Sequence, residues 1–118
     1  MRKILIILFL IIIASSQFGL RLTRRQLSVF DGRYSKVYIG CAGYIFDVTN
    51  SPSFKQGGEY YYLKGKDLTI GLAKQRFDLK ILELDPKKVT LTDEEKLILK
   101  GWTKNFLDKY PVVGYLII

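Results

Sequence analysis

An unbroken apolar run, Ile4 to Ala14, opens the chain behind Arg2-Lys3, and the remainder alternates between short apolar clusters and polar turns. Thr23 is placed to cap a short helix running through Phe30, with Asp31-Gly32 as the turn that follows. Val37 to Cys41 and Tyr44 to Val48 are β-branched and aromatic runs split by Ala42-Gly43, which predicts a hairpin with a tight turn. Gly57-Gly58 open a loop, and Asp67 is placed to cap a helix from Leu68 to about Lys74. Phe77 to Val89 contains Pro86 and has no clean period, so it reads as a connecting excursion. Thr92 and Glu95 form a capping box for a longer helix. Ile98, Trp102 and Phe106 fall on one face of it beside Leu99, while Lys96, Lys100 and Lys104 fall on the other. Pro111 stops the helix before a last apolar strand, Val112 to Ile118. Short strands interrupted by short helices predict an α+β domain with its helices gathered around one pocket.

The opening run changes the cellular picture. As a helix, Ile4 to Ala14 reaches only about 16 Å, short of a hydrocarbon core of about 30 Å, which favours a signal peptide. Ala14 and Ser16 have the size and spacing for cleavage before Gln17. Ile4 to Leu20 carries no charge, however, and is long enough at the lower limit for a signal-anchor helix. Residues 1–20 are therefore a signal peptide or an anchor contacting membrane lipid through residues 4–20, and residues 21–118 form the folded domain. Cations on both flanks leave the topology open.

Composition mainly excludes. The 118 residues suffice for one domain with a real core. The net charge of +8 falls to +6 once Arg2 and Lys3 leave with the first twenty residues. That excess suits anionic partners or a phospholipid surface, but the cations are scattered and no nucleic-acid motif accompanies them. The sequence has no histidine and only Cys41, which removes internal disulfides, the usual zinc centres and every histidine-based triad. Set among Tyr38, Ile39, Ala42 and Tyr44, Cys41 reads as a buried small hydrophobe.

Against that background Tyr60-Tyr61-Tyr62 stands out. A phenolate is an anionic oxygen ligand suited to ferric iron, and tyrosine is among the few axial heme ligands, so a histidine-free chain can still hold heme. In an extended segment Tyr60 and Tyr62 face one way and Tyr61 the other. From the residues alone, packing with each hydroxyl at a wet rim is the favoured reading and ligation the alternative.

Three segments in order resemble the membrane-associated progesterone receptor (MAPR) family, the tyrosine-ligated branch of the cytochrome b5-like heme/steroid-binding domains. Leu22 to Gly32 resembles its entry helix, with Tyr44-Ile-Phe-Asp-Val-Thr49 in the strand pair that follows. Gly57-Gly-Glu-Tyr-Tyr-Tyr-Leu-Lys-Gly-Lys-Asp67 with Gly71-Leu-Ala73 is similar to the heme-pocket loop and its helix. Phe106-Leu-Asp-Lys-Tyr-Pro-Val-Val-Gly-Tyr-Leu116 is similar to the closing lysine-tyrosine motif.

The resemblance implies a cytochrome b5-like fold, a short mixed sheet with short helices around one pocket. It implies Tyr60 as the metal ligand of a ferric, tyrosinate-ligated heme, with Lys109 and Tyr110 hydrogen-bonding at the pocket. Phe54 stands where the family usually has a further pocket tyrosine, and Tyr61 is larger than the small residue usual after the ligand. Phenolate favours ferric iron, so heme sensing or partner regulation is expected over electron shuttling. The implied role is a non-enzymatic, membrane-associated heme-binding protein of the endoplasmic reticulum or another endomembrane, single-pass, that binds sterol and regulates heme-thiolate monooxygenases. The second face of the iron is left free, which allows a heme-mediated homodimer. Two alternatives are a secreted signalling protein of the same family and a heme-free interaction scaffold.

Overall fold

The computed structural model describes residues 19–117. Residues 1–18, which carry nearly all of the leader or anchor segment, and Ile118 lie outside them. Four strands form one mixed sheet: β1 (Leu20–Leu22), β2 (Tyr38–Cys41), β3 (Tyr44–Asp47) and β4 (Val112–Leu116), in the spatial order β1-β4-β3-β2. The hairpin is where the pattern places it, with Ile39 opposite Phe46 and Cys41 opposite Tyr44. Ala42 and Gly43 both have positive φ, 51° and 86°, the conformation that a two-residue turn needs to follow the twist of its strands. β4 pairs antiparallel to β3 and parallel to β1, so the last and first elements of the domain lie side by side. Strand β1 has no signal in the apolar pattern, because Leu20 reads as the end of the leading apolar run and only its pairing with Gly114 makes it strand.

The helices are α1 (Arg24–Leu27), α2 (Thr69–Lys74), α3 (Leu79–Leu82) and α4 (Asp93–Lys109). Thr23 caps α1 through a capping box with Gln26, but the helix stops at Leu27, short of Phe30. The Thr92–Glu95 box caps α4 as expected, and Tyr110 ends it before Pro111. Two expectations need correction. Asp67 does not cap α2: its Oδ1 accepts from Thr69 N and Oγ1, tying a turn ahead of the helix, while its backbone bridges to Gly40. The excursion from Phe77 to Val89 contains α3, capped by Asp78, whose Oδ1 accepts from Ile81 N; one turn is too short to display a period.

Apolar burial falls into two clusters. The larger joins Ile39, Cys41, Phe46, Val48, Phe54, Leu72 and Phe106, with Leu99 and Trp102 packed against it. The smaller joins Leu22, Leu27, Ile45 and Leu116. Cys41 is fully buried, and burial pushes its thiol up to about 11, so it is packing and not a nucleophile. Among the described residues no helix is long and apolar enough to cross a membrane.

Candidate functional site around Tyr60

The tyrosine cluster is not extended. Tyr61–Leu63 is a single 3-10 turn, and Tyr60 occupies its N-terminal flank with φ −108° and ψ 20°. Its backbone is pinned on both sides, donating from N to Ser53 O at 2.7 Å and accepting at O from Leu63 N at 3.0 Å. The glycine pair makes this possible: Gly58 lies against the Pro52 and Ser53 carbonyls, where no Cβ fits. A 3-10 turn sends three consecutive side chains in three directions, so the alternation expected of a strand fails. Tyr60 is half-buried against the larger cluster, Tyr61 lies under the Lys64 ammonium at 3.8 Å, and Tyr62 is 83% exposed, not core.

Tyr60 opens onto a cavity of about 510 Å³, lined also by Glu59, Tyr62, Leu63, Leu72, Gln75, Phe77 and Trp102. This size falls within the usual range for small-molecule sites. Behind it the ring of Phe54, 2% exposed, packs at 5.6 Å from Tyr60 and 6.3 Å from Tyr110, and Tyr110 in turn packs at 5.7 Å from Phe106. The Tyr110 hydroxyl and Ser51 Oγ are 3.0 Å apart. Lys109 is exposed, with its ammonium 5.5 Å from the Tyr110 ring centre. Tyr60, Phe54, Lys109 and Tyr110 therefore form one neighbourhood, but only Tyr60 lines the cavity. Phe54 and Tyr110 form the layer behind it.

Burial pushes the Tyr60 hydroxyl above its ordinary pKa, and the Glu59 carboxylate adds to this, while Lys109 pulls the other way. Burial and Glu59 win, so the free phenol keeps its proton at neutral pH. An electrophile able to displace that proton would find an oxygen-donor site, since Tyr60 and Glu59 offer oxygen and no lining residue offers imidazole or thiolate. Phe77, Leu72, Leu63 and Trp102 complete walls suited to a flat apolar body. Sequence reasoning placed Trp102 only on the core-facing stripe of α4 and Phe77 in a connector. Nothing local marks them, because the cavity forms only when α4 and the end of α2 converge on the turn.

No protein-family model matches the chain. Individual relatives do. It is 35% identical to Probable steroid-binding protein 3 of Arabidopsis thaliana over 80% of this chain and 96% of that one. It is 34% identical to Cytochrome P450 regulator dap1 of Schizosaccharomyces pombe over 80% of this chain and 61% of that protein. A solved Arabidopsis thaliana structure, described as having a cytochrome b5 like fold, superposes with a TM-score of 0.72 at 31% identity, covering 84% of this chain and 92% of the other. Near-complete coverage of a steroid-binding relative, the shared fold and the ordered motifs around Tyr60 lead to one assignment: the chain belongs to the membrane-associated progesterone receptor family, with a cytochrome b5-like fold.

Proposed function

We propose that this protein is a membrane-associated, non-enzymatic heme- and sterol-binding module that regulates heme-thiolate monooxygenases. The observation that carries the heme assignment is Tyr60, a phenol facing a cavity of about 510 Å³ walled by aromatic and aliphatic side chains and backed by Phe54 and Tyr110. Tyr60 would hold the iron of ferric heme through its oxygen, and the bound heme would supply an iron through which two copies of the chain could pair. Holding that iron would require Tyr60 to give up its proton, and Lys109, which pulls the Tyr60 pKa down, would stabilise the phenolate. Phe54 supplies packing and no hydroxyl. The regulatory role draws on the relative named a cytochrome P450 regulator, and sterol binding on the relative named a steroid-binding protein.

Titrating ferric heme into wild type and Tyr60→Phe tests the ligand. Wild type should give a tyrosinate-type absorption spectrum and Tyr60→Phe should lose most of the affinity; equal binding removes Tyr60 as ligand. Sedimentation with and without heme tests pairing through the free iron face, and an unchanged monomer counts against it. Residues 4–20 would anchor the domain as a single pass in the endoplasmic reticulum or a related membrane. The Ala14-x-Ser16 spacing favours a second reading, secretion after cleavage before Gln17. Sequencing the amino terminus of the mature protein separates them, since an intact Met1 in a membrane fraction excludes secretion.

A further inference from the structure

Helix α4 is seventeen residues long, yet Phe106 is its single buried residue. Ile98, Leu99 and Trp102 are only half-buried and Leu107 is 43% exposed, so the helix carries more apolar surface than the core covers. Leu99, Thr103 and Leu107 form the floor of a trough of about 550 Å³ bounded on its far side by Ala42 of the hairpin turn. The Thr103 hydroxyl is turned inward, donating to Leu99 O at 2.8 Å and lying 3.5 Å from Cys41 Sγ, so the floor is apolar. Along the near bank stand Lys96, Lys100 and Lys104, with Asp108 next in the row. Each step is four residues, about 6 Å of rise, and it places the three ammonium groups where like charges repel one another on a helix. Among the described residues none of these four side chains has an ion-pair partner. The far bank does not neutralise the row. Beyond Ala42 lies a second cavity, of about 430 Å³, where Arg24, Arg25 and Lys87 outnumber Asp67 and Asp85 beside Thr69 at the start of α2.

We propose that this trough docks an acidic amphipathic helix of a partner protein. The apolar ridge of that helix lies on Leu99, Thr103 and Leu107, and its carboxylates, at every fourth position, face Lys96, Lys100 and Lys104, with a basic residue closing the row at Asp108. The apolar row and the charged row of α4 both repeat every four residues, the step that a second helix repeats along one of its own ridges. Ridge and row therefore stay in register along the contact. Apolar anchors in the groove supply affinity, and the charges on its rim steer the encounter and set the orientation. An anionic bilayer fits this face less well, because the cations stand in one row beside a hollow and a carboxylate ends that row. A flat surface would meet the lysine tips and leave the floor empty. The docking site lies outside the Tyr60 cavity and needs no heme, so the heme assignment stands or falls separately.

The test titrates the full chain, in neutral detergent, into a fluorescein-labelled helical peptide of about 20 residues that carries a leucine ridge, glutamates at three successive fourth positions beside it and a closing lysine. A second peptide has the same composition with the charged residues redistributed around the helix. Anisotropy should show the patterned peptide binding at least about tenfold more tightly. Lys100→Glu, at an exposed position, should weaken it about tenfold, and exchanging the middle glutamate of the peptide for lysine should restore the affinity. The thermal melt of this variant should not fall, since the change relieves like-charge neighbours, and its ferric heme titration should stay at wild type. Leu107→Ala should cost about fivefold in peptide affinity. Under reductive methylation the peptide should protect Lys96, Lys100 and Lys104 while the exposed Lys80 reacts. Equal binding of the two peptides overturns the proposal, as does a loss in Lys100→Glu that the exchanged peptide fails to restore. Protection of the same lysines without peptide in vesicles of phosphatidylcholine with phosphatidylserine, and not of phosphatidylcholine alone, assigns the face to the membrane and overturns it as well.

Discussion

The two ends of α2 solve different problems with different materials. At one end, Tyr60 is presented by a loop of adjacent residues, Gly57 to Leu63, and backed by the tilted ring of Phe54 with Tyr110 edge-on behind it; at the other, Arg24 and Asp67 are brought together from separate elements beneath the ends of β1 and β4. The first arrangement builds a donor that must lose a proton before it can act. The second holds a guanidinium and a carboxylate 3.9 Å apart, each tied to a neighbour of its own, Arg24 to Leu82 O and Asp67 to Thr69. A phenol at a cavity mouth can act only through what its oxygen binds once deprotonated, whereas a long ion pair tied on both sides joins separate elements of the fold.

The most severe way to break the comparison is to remove what both ends lean on. Phe46 of β3 is fully buried and packs at 5.7 Å from Phe106 of α4, so Phe46→Ala should cost about 3–5 kcal/mol by denaturant unfolding. Heme and sterol uptake should then fail together. A milder change sharpens only the Tyr60 end. Gln75 caps α2 in the left-handed region at φ 56°, so Gln75→Gly should raise stability by about 0.5–1 kcal/mol while enlarging the cavity it lines.

Smaller effects follow from charge. Lys109→Met removes the cation that lowers the Tyr60 pKa, so ferric heme affinity at neutral pH should fall by about threefold and the pH midpoint of uptake should move up. Glu59→Gln should move that midpoint down. The smallest effect lies at neither end. Asp31 is held down to about 2, first by its side-chain bonds with Arg33, so this pair's stabilisation is present above the ordinary carboxylate pKa and disappears as pH falls toward 2. Because the pair is solvent-exposed the change in acid unfolding should be slight, and Arg33→Ala should flatten it without touching either cavity.

These residues also mark what the sequence made legible. The capping boxes at Thr23 and Thr92, the Ala42-Gly43 hairpin and the α4 stripe are local, set by side chains within a few positions of one another, and they are found where the pattern puts them. Strand β1 and helix α3 are too short for any period and owe their form to long-range partners, Gly114 for Leu20 and the core around Leu82 for α3. At the candidate site, the neighbourhood of Tyr60, Phe54, Lys109 and Tyr110 follows from the ordered motifs, yet the facing wall of Phe77 and Trp102 does not. The alternation expected of Tyr60, Tyr61 and Tyr62 fails because a run of tyrosines invites a strand, while Gly58 folds the chain into a turn. Arg24 and Asp67 were invisible as a pair: Arg24 is one of many scattered cations, and Asp67 precedes a helix start in the way that a cap would.

Helix α2 has only six residues, roughly 9 Å of rise, and five of them are buried. Thr69 at its beginning and Leu72 with Gln75 at its end belong to the walls of different cavities, so a substitution that shifts this short rod reshapes both walls at once.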